Sequence, residues 1–459
     1  MIIKRKRSNE YFFQRLAVGV LAGLLVTSSL SLQVNAEKAD VSINNGSAMS
    51  EIKANELKPS WTIKVDNKLD RNEMYFSDYN AAAEDGKVFT FVGKKLVALD
   101  AKTGKQLWSY GKNLIPYVIY EKGVIYGLSE DHKPYALDAK TGKKKWQSSS
   151  STYIDTRLRT EAIVPTSDSL YVIKGSKTFA FDKTTGKLRW ETDEPMADGS
   201  GTEYLEESNG VILRTFLVQG ALTSLQLDAF DKKTGKKLWG VFGQGEAIRI
   251  KDGLVYSVDY HSQLMSDYQS LPERKVIVNI YNLKTGVKKG TREYNWKRSG
   301  EPPYPYGQGN LLVHGDKIYV QEENKVAEYD FDTYKSNQTP LRTFKIPNGD
   351  NWILLGIVQD RLMFENVTTH ELAGIKMVNN RQVGWYGDAN LEQVDVYGKG
   401  VYLAQRNGSL LGINLLTTKP VFKVKTGSVL HGATLKTDDM IIIQAKGKLI
   451  GVKLPASLK

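Results

Sequence analysis

Short runs of alternating or wholly apolar residues recur along nearly the whole chain, cut by Gly, Asp, Asn and Thr. Lys95-Leu-Val-Ala-Leu, Thr178-Phe-Ala-Phe and Ser224-Leu-Gln-Leu-Asp-Ala-Phe are typical. Such runs read as half-buried strands. All three lead into the same punctuation. Asp100-Ala-Lys-Thr103-Gly104-Lys-Gln-Leu-Trp108 is followed by Asp138-Ala-Lys-Thr141-Gly142-Lys-Lys-Lys-Trp146, Asp182-Lys-Thr-Thr185-Gly186-Lys-Leu-Arg-Trp190 and Asp231-Lys-Lys-Thr234-Gly235-Lys-Lys-Leu-Trp239. Gly stands four residues after Asp and Trp eight residues after it in every copy, and the copies lie 38 to 49 residues apart. A fixed pattern at that period marks a repeat architecture.

The chemistry of one copy dictates a hairpin. Asp and Thr side chains bond local backbone, Gly accepts positive φ, and the chain turns back. Trp then lies on the returning strand. Two more strands precede each hairpin, as at 81–85 and 88–92, separated by Asp85-Gly86. Four antiparallel strands per repeat of about 44 residues is one blade of a β-propeller. The tryptophans Trp108, Trp146, Trp190 and Trp239 are read as structural, filling the gap between blades with the indole N–H on a backbone acceptor. Gly104, Gly142, Gly186 and Gly235 are read as the turn glycines.

Degenerate copies extend the series. Asn282-Leu-Lys-Thr285-Gly286 lacks the Trp, Asp330-Phe-Asp-Thr-Tyr334 lacks the Gly, 372–385 carries its Trp one residue late, and Asn414 to Phe422 puts Phe in place of Trp. The last unit, 430–454, supplies three strands only. Ser60-Trp61-Thr-Ile-Lys-Val65 is expected to add the fourth and close the ring, which removes the open edges that invite aggregation.

The motif A-x-D-x-x-T-G-x-x-x-W resembles the tryptophan-docking repeat of the quinoprotein (PQQ-like) propellers. The ending Ile441-Ile-Ile-Gln-Ala-Lys-Gly-Lys-Leu-Ile is similar to that of the BamB family of outer-membrane assembly lipoproteins. The resemblance spans about 57–454 and implies an all-β propeller of four-stranded antiparallel blades, eight in number. Counting the Asp-type hairpins and the closing unit gives nine.

The N-terminus has the grammar of a signal peptide. Lys4 to Arg7 and Arg15 precede an apolar run over 16–32, and Val34-Asn35-Ala36 fits cleavage after Ala36. An uncleaved anchor is the alternative. The expected organisation is a signal peptide over 1–36, a flexible leader over 37–58 and the propeller over 59–459. There is no Cys in the 459 residues, so disulfides, thiolate metal sites and a lipid tether on a lipobox Cys are excluded; in this the sequence departs from the lipoprotein pattern. The whole chain carries 63 basic and 51 acidic residues. Residues 1–36 hold five basic and one acidic, so about +8 remains beyond them. That balance suits an anionic surface.

Two surfaces are candidates for binding. Long segments (67–80, 193–204, 261–275 and 294–310) fall on the face that bears the blade-to-blade loops, called here the loop face. Trp296, Lys297, Arg298, Tyr304 and Tyr306 in the last of them are stiffened by Pro and suit a peptide, a glycan or an anion. The opposite face, called the turn face, carries the Thr-Gly turns with lysines on both sides, among them Lys140, Lys143, Lys236 and Lys237. An arc of such lysines suits phosphate-bearing polymer or anionic lipid. The acidic run Asp193, Glu194, Glu203, Glu206 and Glu207 is read as solvated. The five histidines have no metal-ligand spacing, and no catalytic motif is present. The expectation is a non-enzymatic, secreted or cell-surface monomer without cofactor or metal, peripheral at a membrane or wall, binding protein or anionic wall polymer and not nucleic acid. A propeller enzyme, either a quinoprotein oxidoreductase or a polysaccharide lyase or hydrolase, is the alternative. Convergent acids, Arg or Tyr at the channel mouth would distinguish it.

Overall fold

The computed structural model describes residues 39–46, 52–67, 69, 80–154, 161–195, 201–218, 224–268, 270–302 and 309–459. They form nine antiparallel sheets arranged as a ring of nine blades. Blade 1 uses Ala81–Glu84, Lys87–Val92, Lys95–Asp100 and Gln106–Tyr110, from the centre outwards. Blades 2 to 8 span 118–147, 161–193, 201–242, 244–297, 311–345, 352–385 and 391–425, and blade 9 takes 435–453 with one strand from the N-terminal end. First strands of successive blades approach one another and line the axis. The count of nine stands, and the eight implied by family resemblance does not. Blades 5 and 6, whose repeats are degenerate, are complete because ladder pairing needs alternation and turns, not the Trp.

The N-terminal segment supplies three strands: β1 (Val41–Gly46), β2 (Asn55–Glu56) and β3 (Trp61–Lys64). β3 pairs with Lys448–Lys453, Trp61 opposite Gly451, and completes blade 9 as expected. The segment read as a flexible leader instead contains two paired strands. β1 runs antiparallel to the innermost strand of blade 8, Leu391–Tyr397, and β2 lies parallel to the outermost, Pro420–Lys425. Val41 and Ile43 are buried against Leu355, Val358 and Met363 of blade 7, which is why an otherwise polar stretch is held. A short helix, α1 (Tyr260–Tyr268), connects the second and third strands of blade 5.

Each blade binds its own two turns together. The amide of the residue after the turn Asp or Asn donates to the first hairpin of the same blade: Ala101 to Gly86 O, Ala139 to Gly123 O, Leu283 to Gly253 O and Leu415 to Lys399 O, each within 2.8–2.9 Å. The first hairpin and the Thr-Gly turn therefore lie on one face, the turn face. Inside the turn, Asp100 Oδ1 accepts from Thr103 N and Oγ1 at 2.8 and 2.7 Å, and Asp138 and Asp231 repeat this with Thr141 and Thr234. The Thr hydroxyl holds all three carboxyls below the usual range.

Five consecutive junctions are made in one way. The indole N–H of a Trp on the outer strand donates to the carbonyl of the residue after the next blade's turn Asp. Trp61 reaches Ala101 O at 2.7 Å, Trp108 Ala139 O at 3.2 Å, Trp146 Lys183 O at 2.8 Å, Trp190 Lys232 O at 2.9 Å and Trp239 Leu283 O at 2.9 Å. The same indole covers the next turn's glycine. A Cβ on Gly104, Gly142, Gly186 or Gly235 would come within 3.0 Å of that ring, and all four have φ near +70°. The motif glycine is thus required twice, for the turn and for the docked Trp. Trp61, Trp146 and Trp190 are buried and Trp108 and Trp239 half-buried.

Candidate functional site

The residues proposed on the loop face fall at the outer junction of blades 5 and 6. Their strand ends at Lys297, and alternation along it decides which side chains face solvent. Trp296 is buried in the core shared by the two blades, opposite Arg274. The Arg298 side chain has no exposure and its Nε lies 3.3 Å from Glu323 Oε1. Glu323 also accepts from Ser299 N and Oγ at 2.8 and 2.7 Å, so one carboxylate ties the loop after blade 5 to blade 6. Trp296 and Arg298 are therefore framework, and Lys297 is the exposed group. Tyr304 and Tyr306 lie outside the described residues.

Lys297 stands between two open clefts. One, of about 550 Å³, is bounded by Leu271, Pro272, Glu273, Lys297 and Arg298. The other, of about 400 Å³, is lined by Trp296, Lys297, Glu322, Glu323, Lys325 and Gln338 among others. Burial raises the Glu322 carboxyl above its ordinary range although Lys325 pairs with it at 3.1 Å. Glu322, Glu323 and Gln338 carry no motif in the sequence. Their place follows only from the fold, which seats the hairpin at 322–324 beside the end of blade 5.

On the turn face Lys140, Lys143 and Lys236 are exposed. Lys237 is not free. Its Nζ pairs with Glu194 Oε2 at 2.6 Å and Asp228 Oδ2 at 2.8 Å, both buried carboxylates. This corrects the reading of 193–207 as a solvated acidic run. Glu194 is enclosed, Glu207 pairs with Lys232, and Glu206 accepts from Tyr204 Oη at 2.7 Å. Burial pushes the Asp228 carboxyl up, because it lies beside Glu194 with one lysine between them.

At the axis, β1 covers the inner edge of blade 8. Asp395, fully buried there, accepts from Ser42 Oγ at 2.9 Å, Gln393 Nε2 at 2.8 Å and Thr434 N at 2.7 Å. Burial nevertheless pushes its carboxyl up to about 6. The repeat tryptophans are committed to the rim by their hydrogen bonds, and the described residues contain no group of His, Cys, Asp and Glu that could hold a metal.

Indoles docked on the turn glycines of the next blade define a tryptophan-docked propeller. Residues 58–265 match the family model described as outer membrane protein assembly factor BamB. Among solved structures the chain is similar to BamB from Moraxella catarrhalis (12% identity, 86% of this chain and 99% of that one, TM-score 0.44). It is also similar to a quinohemoprotein alcohol dehydrogenase from Pseudomonas putida (14% identity, 90% and 81%, TM-score 0.40) and to another from Comamonas testosteroni (12% identity, 93% and 79%, TM-score 0.41). No curated protein matches the chain.

Proposed function

We propose that the chain is an exported, non-enzymatic propeller that acts at the bacterial cell surface as a protein-binding scaffold, using the loop face at the junction of blades 5 and 6. The observation that carries this reading is Lys297, exposed between two open clefts on a strand end fixed by Arg298 and Glu323. A rigid edge with mixed charge and recessed apolar lining suits a protein partner better than a small molecule, which is held in an enclosed pocket. The match of 58–265 to a family described as an assembly factor supports the same class.

A photo-crosslinking residue at position 297 in living cells tests it. A discrete protein adduct from 297, absent when the probe stands at the exposed Leu238 of blade 4, supports the scaffold reading. No protein adduct from 297, or the same adducts from both positions, overturns it.

A further inference from the structure

We infer that the turn face lies against an anionic membrane surface, held there by its lysines and by the chain that precedes β1, whose apolar run of 16–32 is kept as the uncleaved anchor. Two independent observations lead to this, one of topology and one of charge.

The topology fixes where the N-terminal chain leaves the ring. The innermost strand of blade 8 runs from the loop face to its first hairpin at Gly398-Lys399, on the turn face. β1 is antiparallel to it, with Val41 opposite Val396 and Gly46 opposite Leu391. The N-terminal end of β1 is therefore at the turn face. Asp40 fixes it there, its Oδ2 accepting from Gly398 N at 2.9 Å. Everything before Ala39, including the apolar run of 16–32 and its flanking Lys4, Arg5, Lys6 and Arg7, is connected to the protein at the turn-face mouth of the axis.

The charge of that face matches. Lys102, Lys105, Lys140, Lys143, Lys144, Lys145, Lys187, Lys236, Lys284, Lys288 and Lys289 are all exposed on or beside the turns of blades 1 to 5. The turn aspartates offset part of this charge, each bonded into its own turn by Thr. The first hairpins add the exposed acids Asp85, Asp168, Asp252, Asp316, Asp360 and Asp438, but also Lys122, Lys317 and Lys399. The loop face is mixed, with Glu130, Asp193, Glu301, Glu322 and Glu323 against Lys94, Lys112 and Lys297. Clustered lysines beside a membrane-directed segment are drawn to anionic headgroups, and the attraction fades within a Debye length of about 8 Å at physiological ionic strength. The flat ring places many of them at that distance together. The loop face, with Lys297, then points away from the membrane.

The absence of Cys makes the orientation measurable with single labels. In the full chain, Cys replaces Lys105 on the turn face or Lys297 on the loop face and carries a fluorophore. The protein is reconstituted with phosphatidylcholine vesicles with or without 30 mol% phosphatidylglycerol, doped with a headgroup spin-label quencher. We expect quenching at position 105 to exceed that at 297 at least fivefold in the anionic vesicles. It should fall to the level at 297 in 0.5 M NaCl and in a variant with Lys140, Lys143, Lys236, Lys284, Lys288 and Lys289 changed to Glu. The melting temperature of that variant is measured alongside and should be unchanged. Quenching that is equal at the two positions, stronger at 297, or indifferent to salt and lipid charge overturns the inference. Retention on purified cell wall by the same lysines, with no quenching at 105, transfers them to wall polymer and overturns it too. If the six-lysine variant misfolds, the salt and lipid dependence of the unaltered label at 105 decides.

Discussion

The junctions from blade 9 through blade 5 and those that follow achieve the same end by different chemistry. In the first group an indole caps a glycine turn five times in succession. At the next junction Gly290 stands opposite Ile280, where blades 1 to 4 pair Trp with Ala, and Tyr334 stands where the turn glycine should be. Arg292, two residues further along the strand, takes over. Its Nη1 donates to Phe331 O, the acceptor that an indole uses elsewhere, and its guanidinium lies over Tyr256, Phe331 and Tyr334 at 4.9, 4.7 and 5.5 Å. A large planar donor on a small turn has become a planar cation on an aromatic turn. At the junction of blades 6 and 7, Asn380 occupies the glycine position with φ +57° and accepts from Lys345 N at 3.1 Å. The comparison teaches that the constraint is a filled gap with a hydrogen bond across it, and that Trp with Gly is one solution to it. The family model ends at residue 265, just where that solution gives way.

The largest expected effect comes from opening the ring. Removing residues through Val65 deletes β3 and the Trp61 cap together, and should destabilise by more than the roughly 3–5 kcal/mol of a large buried aromatic alone. Removing residues only through 38 should leave the melting temperature near that of the whole chain. Equal melting temperatures for the two deletions would show that β3 does not close the ring.

Next, Trp146→Ala should cost about 3–5 kcal/mol in chemical denaturation. Gly186→Ala should cost less alone, by strain at φ +73° and collision with that indole, and its cost should shrink in the Trp146→Ala background. Additive costs would mean that the two residues are not one device. At the variant junction, Arg292→Met should cost about 2–3 kcal/mol, from a lost charged hydrogen bond and cation–π contact. Tyr334→Gly in that background should add little. A loss as large as that at Trp146 would make the two junctions equivalent in energy as well as in form.

How much of this was legible follows from which interactions are local. The strong repeats announce themselves because Asp, Thr and Gly act within one turn, so blade type, turn face and ring closure by Trp61 could be read from residue order. Arg292 could not, because its partners are in two blades and its neighbours carry no signature. The same holds for the candidate surface. Alternation hid Trp296 and Arg298 and exposed Lys297, yet the clefts beside it depend on 322–340, which are distant in sequence. Lys237 reads like its neighbours, and its pairing with the buried Glu194 and Asp228 depends on segments apart from its own turn. β1 was missed because only Val41 and Ile43 in a polar stretch signal a strand, and their burial depends on blade 7.

The smallest expected effect concerns β1. Asp395 is raised to about 6 from an ordinary value near 4 chiefly by burial, part of which β1 provides. The paired state then binds a proton, between pH 4 and 6, that the open state has released. Pairing should be firmest below about pH 4, weaken as pH rises to 6 and level off above, by at most about 1.4 kcal/mol per unit. Hydrogen exchange of the amides of 41–46, corrected for intrinsic rates, measures it. Asp395→Asn should flatten the trend, and a trend that persists in that variant places its origin elsewhere.

Blade 9 has a consequence for how the molecule comes into being. Its outer strand lies near the start of the chain and its other three at the end, with Trp61 opposite Gly451. No ordering of synthesis or export can finish that sheet before residues 435–453 have arrived. Until then the first blade has no cap, and the ends must find each other across almost the entire polymer. The entropy of bringing them together grows only logarithmically with length, about 0.6 kcal/mol for each doubling, so the delay is topological more than energetic. Such long-range pairing makes for slow folding. The ring is therefore a late, single event, and a chain cut short before Lys448 loses its closure while keeping nearly all of its blades.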